Sequence, residues 1–309
     1  MNKRSEADVL LEQLRVPCAG PVWGLSLDEA APAEMSFPGG SPLPDAPRLV
    51  GPHVHRLSRE VHGARRRRSL QWVWLSPTVD PFAASAGGWS RVAVETARVL
   101  MEAGYGVTVR TRAGVTHGRQ LVQLSGSHPG MLRVELEFFS GEIAVSAPWE
   151  VGADTIEDRL ALSEALLESG AEVVARLGPL VPMINDDQKM VTRLGRALIR
   201  RGVKTLVPFW IEGDRGMVLR IERQVSRSRA RMVHGWLHLE GSMAGGRGPR
   251  SVPDRVRRPI LRTLHSASDA AGINLLTCAC NAPGGLDVCL AGPPVQRRDR
   301  QISLFAEGA

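Results

Sequence analysis

From Leu70 onward the chain repeats one texture: a short apolar run, an amphipathic stretch with helical spacing, then another apolar run. That alternation is the pattern of βαβ units, because consecutive parallel strands need a long crossover and a helix ordinarily supplies it. Strands are predicted at 70–76, 106–111, 132–139, 171–177, 203–210, 232–238 and 272–277, with helical patterns at about 90–103, 154–169, 186–201, 214–230 and 253–271. Gly104 and Gly202 each follow a helical pattern where a left-handed cap is needed. Seven strand signals predict an α/β fold, a partial or complete (β/α) TIM-like barrel, rather than a short dinucleotide-binding sheet. No GxGxxG turn follows an early strand, which argues against a nicotinamide or flavin dinucleotide.

Three segments are expected: a loop-rich, basic and poorly ordered N-terminal region over 1–69, the barrel over 70–290, and an extended tail over 291–309. The first contains a short amphipathic stretch, Ala7 to Arg15, then a Pro-, Gly- and Ser-dense piece from Ala31 to Pro52 that reads as linker. Apolar residues form 43% of the chain and charged ones 23%, which excludes a wholly disordered chain. No run approaches the roughly 20 apolar residues of a membrane span, and the polar start lacks a signal-peptide core. A cytoplasmic protein without a membrane partner is expected.

The net charge is +7, and only three of the 39 basic residues are lysines. Arginine favours bidentate contact with phosphate or carboxylate, although a GC-rich genome produces the same skew. The charge is uneven: between Arg133 and Asp187 stand 12 acids and three arginines, so the remainder is strongly basic. Such asymmetry makes DNA a candidate partner. Arg65, Arg66, Arg67 and Arg68 form the densest basic run, either a solvated surface or a nucleic-acid contact.

In barrels of this kind chemistry gathers at the C-terminal ends of the strands, where the βα loops converge. The residues there include Asp80, Arg112, Glu135, Glu137, Arg176 and Glu212. A mouth lined by Asp80, Arg112, Glu137, Arg176 and Glu212 either binds a small zwitterion or a phosphate, or pairs its charges internally as structural salt bridges.

The stretch Arg159 to Asp186, RLALSEALLESGAEVVARLGPLVPMIND, resembles the later half of the radical S-adenosylmethionine barrel in spore photoproduct lyase-like proteins. There a helix, a Gly turn and an apolar strand run into a P-x-x-x-ND loop. Ser76 to Phe82, with the following helix and the strand GVTVRTRAG, is similar to that family's strand-TDPY-helix-strand-TKS segment. The resemblance spans about residues 70 to 280. It implies a place for S-adenosylmethionine near Asp80, Arg112, Glu137, Arg176 and Asn185. One departure is large. The family holds a [4Fe-4S] cluster through CxxxCxxC, and this chain has no such motif; its one early cysteine, Cys18, cannot hold a cluster alone. The resemblance therefore implies a degenerate barrel.

Cys278, Cys280 and Cys289 follow the last predicted strand in TCACNAPGGLDVC. Three thiols so close are candidate ligands for an iron–sulfur cluster or, with a histidine, zinc, and the alternative is reduced structural cysteines. His53 with His55, and His234 with His238, lack the glutamate of an HExxH site, and no G-x-S-x-G turn offers a serine nucleophile.

After Pro293-Pro294 the tail is polar except near its end, where Gln301-Ile302-Ser303-Leu304-Phe305 stands. QISLF resembles the Q-L-S/D-L-F pentapeptide with which bacterial repair and replication proteins dock on the sliding clamp. Leu304 and Phe305 would fill an apolar pocket and the Gln301 amide would bond at its rim. The expectation from sequence is a DNA repair or replication accessory protein, tethered to the clamp by its tail. In it a degenerate radical S-adenosylmethionine-like barrel serves as scaffold or ligand-binding domain. The alternative is an iron–sulfur enzyme acting on DNA or nucleotides through Cys278, Cys280 and Cys289. Whether the chain is an enzyme stays open at this level.

Overall fold

The computed structural model describes residues 12–16, 20–27, 48–49, 57–58, 61, 72–76, 80–84, 89–150, 152–213, 226–241 and 250–277. Its centre is a sheet of parallel strands: β4 (Trp72–Leu75), β5 (Gly106–Thr111), β6 (Leu132–Phe138), β7 (Glu172–Leu180), β8 (Thr205–Trp210) and β11 (Asn274–Leu275), hydrogen-bonded in that order. Helices cover one face: α1 (Trp89–Glu102), α2 (Val115–Ser127), the single turn α3 (Ile143–Ser146), α4 (Ile156–Glu168), α5 (Gln188–Arg200) and α7 (Asp254–Ala271). A further helix, α6 (Arg227–Gly241), stands beside the small ribbon of β9 (Glu212–Gly213) and β10 (Arg250–Ser251). Six parallel strands alternating with helices make the α/β barrel-type architecture expected from the sequence.

The N-terminal region, expected as loops, carries strands. β1 (Glu12–Val16) and β2 (Gly20–Leu27) form an antiparallel hairpin, and β2 lies parallel to β4, extending the sheet beyond its first βαβ unit. The two-residue β3 (Arg48–Leu49) pairs with β2 inside the stretch read as linker.

Two helical findings correct the sequence reading. The run 232–238, predicted as a strand, lies inside α6. Short apolar runs do not separate strand from buried helix, and here the buried pair Ala230 and Val233 has helical spacing. α2 went unforeseen because VTHGRQLVQLSGS contains two glycines and opens on the β-branched pair Val115-Thr116. Packing overrides that propensity: Gly118, Leu121, Leu124 and Ser125 line its buried side, and a Cβ on Gly118 would stand 2.4 Å from Leu162 Cδ2. The helix predicted at 214–230 lies largely outside the described residues.

The sheet's two faces differ in chemistry. Toward the helices point Val73, Val107, Val109, Val134, Leu136, Val173 and Ala175, all buried with Leu100, Leu121, Leu162 and Leu194. Period-two alternation sends Trp74, Thr108, Arg110, Glu135, Glu137, Arg176 and Phe209 to the other, inner face. LRVELEF thus alternates like a strand with one wet face, yet every residue of β6 is buried. An inner face closed off from water must satisfy its charges internally.

Candidate functional site

Strand register builds the site. Arg110 of β5 lies opposite Glu135 of β6, and Glu137 lies opposite Arg176 of β7. Arg176 Nη1 donates to Glu135 Oε2 at 2.9 Å, and Arg110 Nε donates to the same oxygen at 3.4 Å. Glu137 Oε1 lies 3.4 Å from Arg110 Nε and 3.7 Å from Arg176 Nε but accepts no hydrogen bond. Each guanidinium lies over one aromatic ring, Arg110 4.8 Å from the Trp74 centroid and Arg176 4.6 Å from that of Phe209. These contacts place two cations and two anions side by side, none more than 10% exposed in its side chain.

Asp80, five residues past the end of β4, stands beside this network and bonds to the end of β5. Its carboxylate accepts from Thr111 Oγ1 at 2.8 Å, from the Arg112 N–H at 2.7 Å and from the Phe82 N–H at 3.0 Å. The loop after β4 is thereby tied to the end of β5. Burial pushes the Asp80 carboxyl up, against the attraction of Arg112 and those three donors. Glu137 is also pushed up by burial, against Arg110, Arg176 and Arg112 and with help from the charge of Asp80. Arg110 is held below the ordinary guanidinium value by burial and by Arg176.

The raised Asp80 carboxyl has a measurable sign. The folded state holds this proton to higher pH than the unfolded chain does. Its stability therefore falls as pH rises from the unfolded aspartate value through the folded one. Asp80→Asn abolishes that slope while stranding a donor against the Arg112 N–H, which costs about 1–3 kcal/mol. The gap in urea-unfolding free energy between wild type and variant should be wider at pH 4 than at pH 7. A gap that widens with pH would mean that the carboxyl is held down instead.

Four of the residues singled out from sequence, Asp80, Arg112, Glu137 and Arg176, converge here, since Glu137 feels the charges of the other three. Asn185 has a different setting. Its Oδ1 accepts from the Val181 N–H at 2.8 Å, and its Nδ2 donates to Phe139 O at 2.8 Å and Pro179 O at 3.0 Å. The amide thus stitches the loop after β7 to the end of β6. Glu212 opens β9, opposite Ser251. Cys278, Cys280, Cys289, Arg65 to Arg68 and Gln301 to Phe305 lie outside the described residues.

Arg110 was not anticipated, although GVTVRT beside LRVELEF held the signal: alternating charges of opposite sign on two adjacent strands. A second buried pair also went unseen. Arg159 of α4 and Glu150 are joined through two bonds of 2.7 Å, Arg159 also donates to Glu137 O, and Glu150 accepts the Phe139 N–H at 3.0 Å. On the rim, His117 Nδ1 stands 2.8 Å from Asp154 Oδ2, and that carboxylate also takes the Gly114 N–H at the start of α2.

No protein-family profile and no curated protein sequence matches this chain. Solved structures do match its fold. Spore photoproduct lyase complexed with a dinucleoside spore photoproduct superposes with a TM-score of 0.61 at 14% identity, over 89% of this chain and 81% of that one. A variant of that lyase with bound S-adenosylmethionine and the same dinucleoside gives a TM-score of 0.62 at 14% identity, over 88% and 79%. The fold is like that of the radical S-adenosylmethionine barrels. It agrees with the resemblance read from Ser76 to Phe82 and Arg159 to Asp186.

The cluster of such enzymes does not fit this chain's donor set. The segment after β4 reads Ser76-Pro77-Thr78-Val79-Asp80-Pro81-Phe82, the chain has four cysteines in all, and no CxxxCxxC occurs. Among the described residues no three histidines, cysteines or carboxylates gather as a metal site, and no helix is long and apolar enough to cross a membrane. What the described barrel offers is a buried polar lining. Glu137 Oε1, Arg176 Nε and Trp74 Nε1 are buried there without a hydrogen-bond partner.

Proposed function

We propose that this protein is a DNA repair or replication accessory factor. It docks on the bacterial sliding clamp through Gln301 to Phe305 and carries a degenerate radical S-adenosylmethionine-like barrel as scaffold or ligand-binding domain. The observation carrying the barrel half is the inner face itself. Arg110 and Arg176 are occupied by Glu135 and Glu137, on strands where no thiolate accompanies them. Charges so committed to one another support structure more than turnover. The tail half rests on the QISLF pentapeptide near the end of the chain. The fold neighbours lend support to a nucleic-acid setting, since those lyases are described with a dinucleoside photoproduct bound.

The direct test is affinity for purified clamp. Leu304→Ala with Phe305→Ala should weaken binding about tenfold or more, because anchors in a pocket dominate such interfaces. Equal binding by wild type and variant ends the docking reading.

A second reading has one observation in its favour. Leu275 ends β11, and Cys278 follows three residues later, so the cysteine segment begins just past the C-terminal end of a barrel strand. There Cys278, Cys280 and Cys289 would hold an iron–sulfur cluster of a DNA- or nucleotide-modifying enzyme. Iron and sulfide analysis of anaerobically purified protein decides it. A stoichiometric cluster lost in Cys278→Ala with Cys280→Ala would replace the scaffold reading with this one.

A further inference from the structure

The outer helices divide by charge. α4 carries four acids, and its single arginine, Arg159, is buried against Glu150. α5, its neighbour across β7, carries Lys189, Arg193, Arg196 and Arg200 and no acid, and α7 adds Arg255, Arg258 and Arg262 on its exposed side, against Asp254 and the exposed Asp269. Arg193 is neutralised by Glu142 at 2.8 Å. Arg200, Arg255, Arg258 and Arg262 make no ion pair among the described residues and stand exposed.

Packing turns these side chains into one ridge. Gln188 Nε2 donates to Ser266 Oγ at 3.2 Å, Thr192 Oγ1 to Ala267 O at 3.3 Å and Arg196 Nη2 to Ala270 O at 3.4 Å. The two helices run in the same direction, with the start of α5 beside the second half of α7. Gly195 permits the close approach, since a Cβ there would stand 2.7 Å from Ala271 Cβ. The arginines of α7 at i, i+3 and i+7 therefore lead into those of α5. At the helical rise, Arg255 and Arg200 mark the ends of a ridge roughly 30 Å long. One turn of duplex DNA is about 34 Å, with a phosphate charge for every ~1.7 Å of axis.

We infer that the α5–α7 ridge is a docking surface for the phosphate backbone of duplex DNA. The inference rests on reading the protein as one that works on DNA, and it needs neither the tail nor Arg65 to Arg68. Charge complementarity selects the occupant: three unpaired guanidiniums on α7, Lys189 between, and Arg200 at the far end of α5, with Asp269 the one exposed acid of the two helices, suit a polyanion and release its counterions. No base edge is read by such a surface, so binding should be indifferent to sequence.

The test uses the full chain and a fluorescent 20-base-pair duplex of mixed sequence, titrated between 50 and 200 mM KCl. Replacing Arg200, Arg255, Arg258 and Arg262 by Gln should flatten the slope of log affinity against log salt by roughly 3 to 4 and weaken binding at 100 mM salt about tenfold or more. Arg91→Gln, Arg98→Gln and Arg119→Gln, exposed positions on α1 and α2 of which Arg98 pairs with Glu102, remove three charges elsewhere and should change affinity less than about twofold. All seven sites are exposed, so unchanged unfolding midpoints verify that folding is intact. Equal losses in the two variants would overturn the ridge as a specific surface. Wild-type affinity in the ridge variant, with loss on replacing Arg65 to Arg68, would overturn the ridge and leave DNA binding standing. A wild-type protein with no duplex affinity would overturn both, while the clamp measurement would still report on the tail.

Discussion

Glu135→Gln should destabilise the protein by about 3–5 kcal/mol, the usual cost of stranding buried charge by removing one partner. Glu135 Oε2 is the oxygen that Arg110 and Arg176 share, and their guanidiniums already repel each other strongly enough for Arg176 to lower the basicity of Arg110. Glutamine keeps the shape and withdraws the charge, so the loss measured by urea unfolding at pH 7 is electrostatic. Exchanging Arg110, Glu135, Glu137 and Arg176 together for Met, Leu, Leu and Met should cost less than Glu135→Gln alone, because neither pair leaves a charge behind. A Glu135→Gln variant within about 1 kcal/mol of wild type would mean that the two arginines find other partners or water.

Arg159→Met should cost a similar 3–5 kcal/mol for the same physical reason, with a different local consequence. Glu150 would lose both of its bonds to the guanidinium, and the carbonyl of Glu137 would lose its donor. The connection from β6 to α4 is held otherwise by the Phe139–Trp149 stack, 4.8 Å between centroids, and by the Phe139 N–H bond to Glu150. Amide exchange at 139–150 should accelerate more than exchange in β5 or β7. Uniform acceleration across the sheet would show that the pair supports the whole fold rather than this connection. Arg159→Met combined with Glu150→Leu should recover part of the loss.

The barrel was legible because its strands are buried on the helix side by Val, Leu and Ala at period two, and because Gly104 and Gly202 punctuate the helices. β5 lies where GVTVRT placed it. What misled was context that no local window contains. α2 packs its Gly118 side against Leu162 of α4, a contact that favours the helix. The segment at 232–238 is short and apolar, and only its neighbours decide its form. Among the residues of the inner face and its rim, the strand-end reading had singled out Asp80, Arg112, Glu135, Glu137 and Arg176. Arg110 stands one residue from the end of β5, as Glu137 does from the end of β6, and its pairing with Glu135 depends on the β5–β6 register, which is a tertiary fact. Asn185 looks the same in sequence whether it faces a ligand or three backbone groups. The three arginines of the acidic block, Arg133, Arg159 and Arg176, are all buried against glutamates.

The shared oxygen of Glu135 also bears on how such a lining can evolve. A single substitution at Arg110, Glu135, Glu137 or Arg176 leaves an odd charge in a buried space, whereas a matched swap of one cation with one anion leaves none. Drift across these four positions is thereby channelled into compensating steps, and a descendant acquiring a new ligand there would have to change two or more of them together.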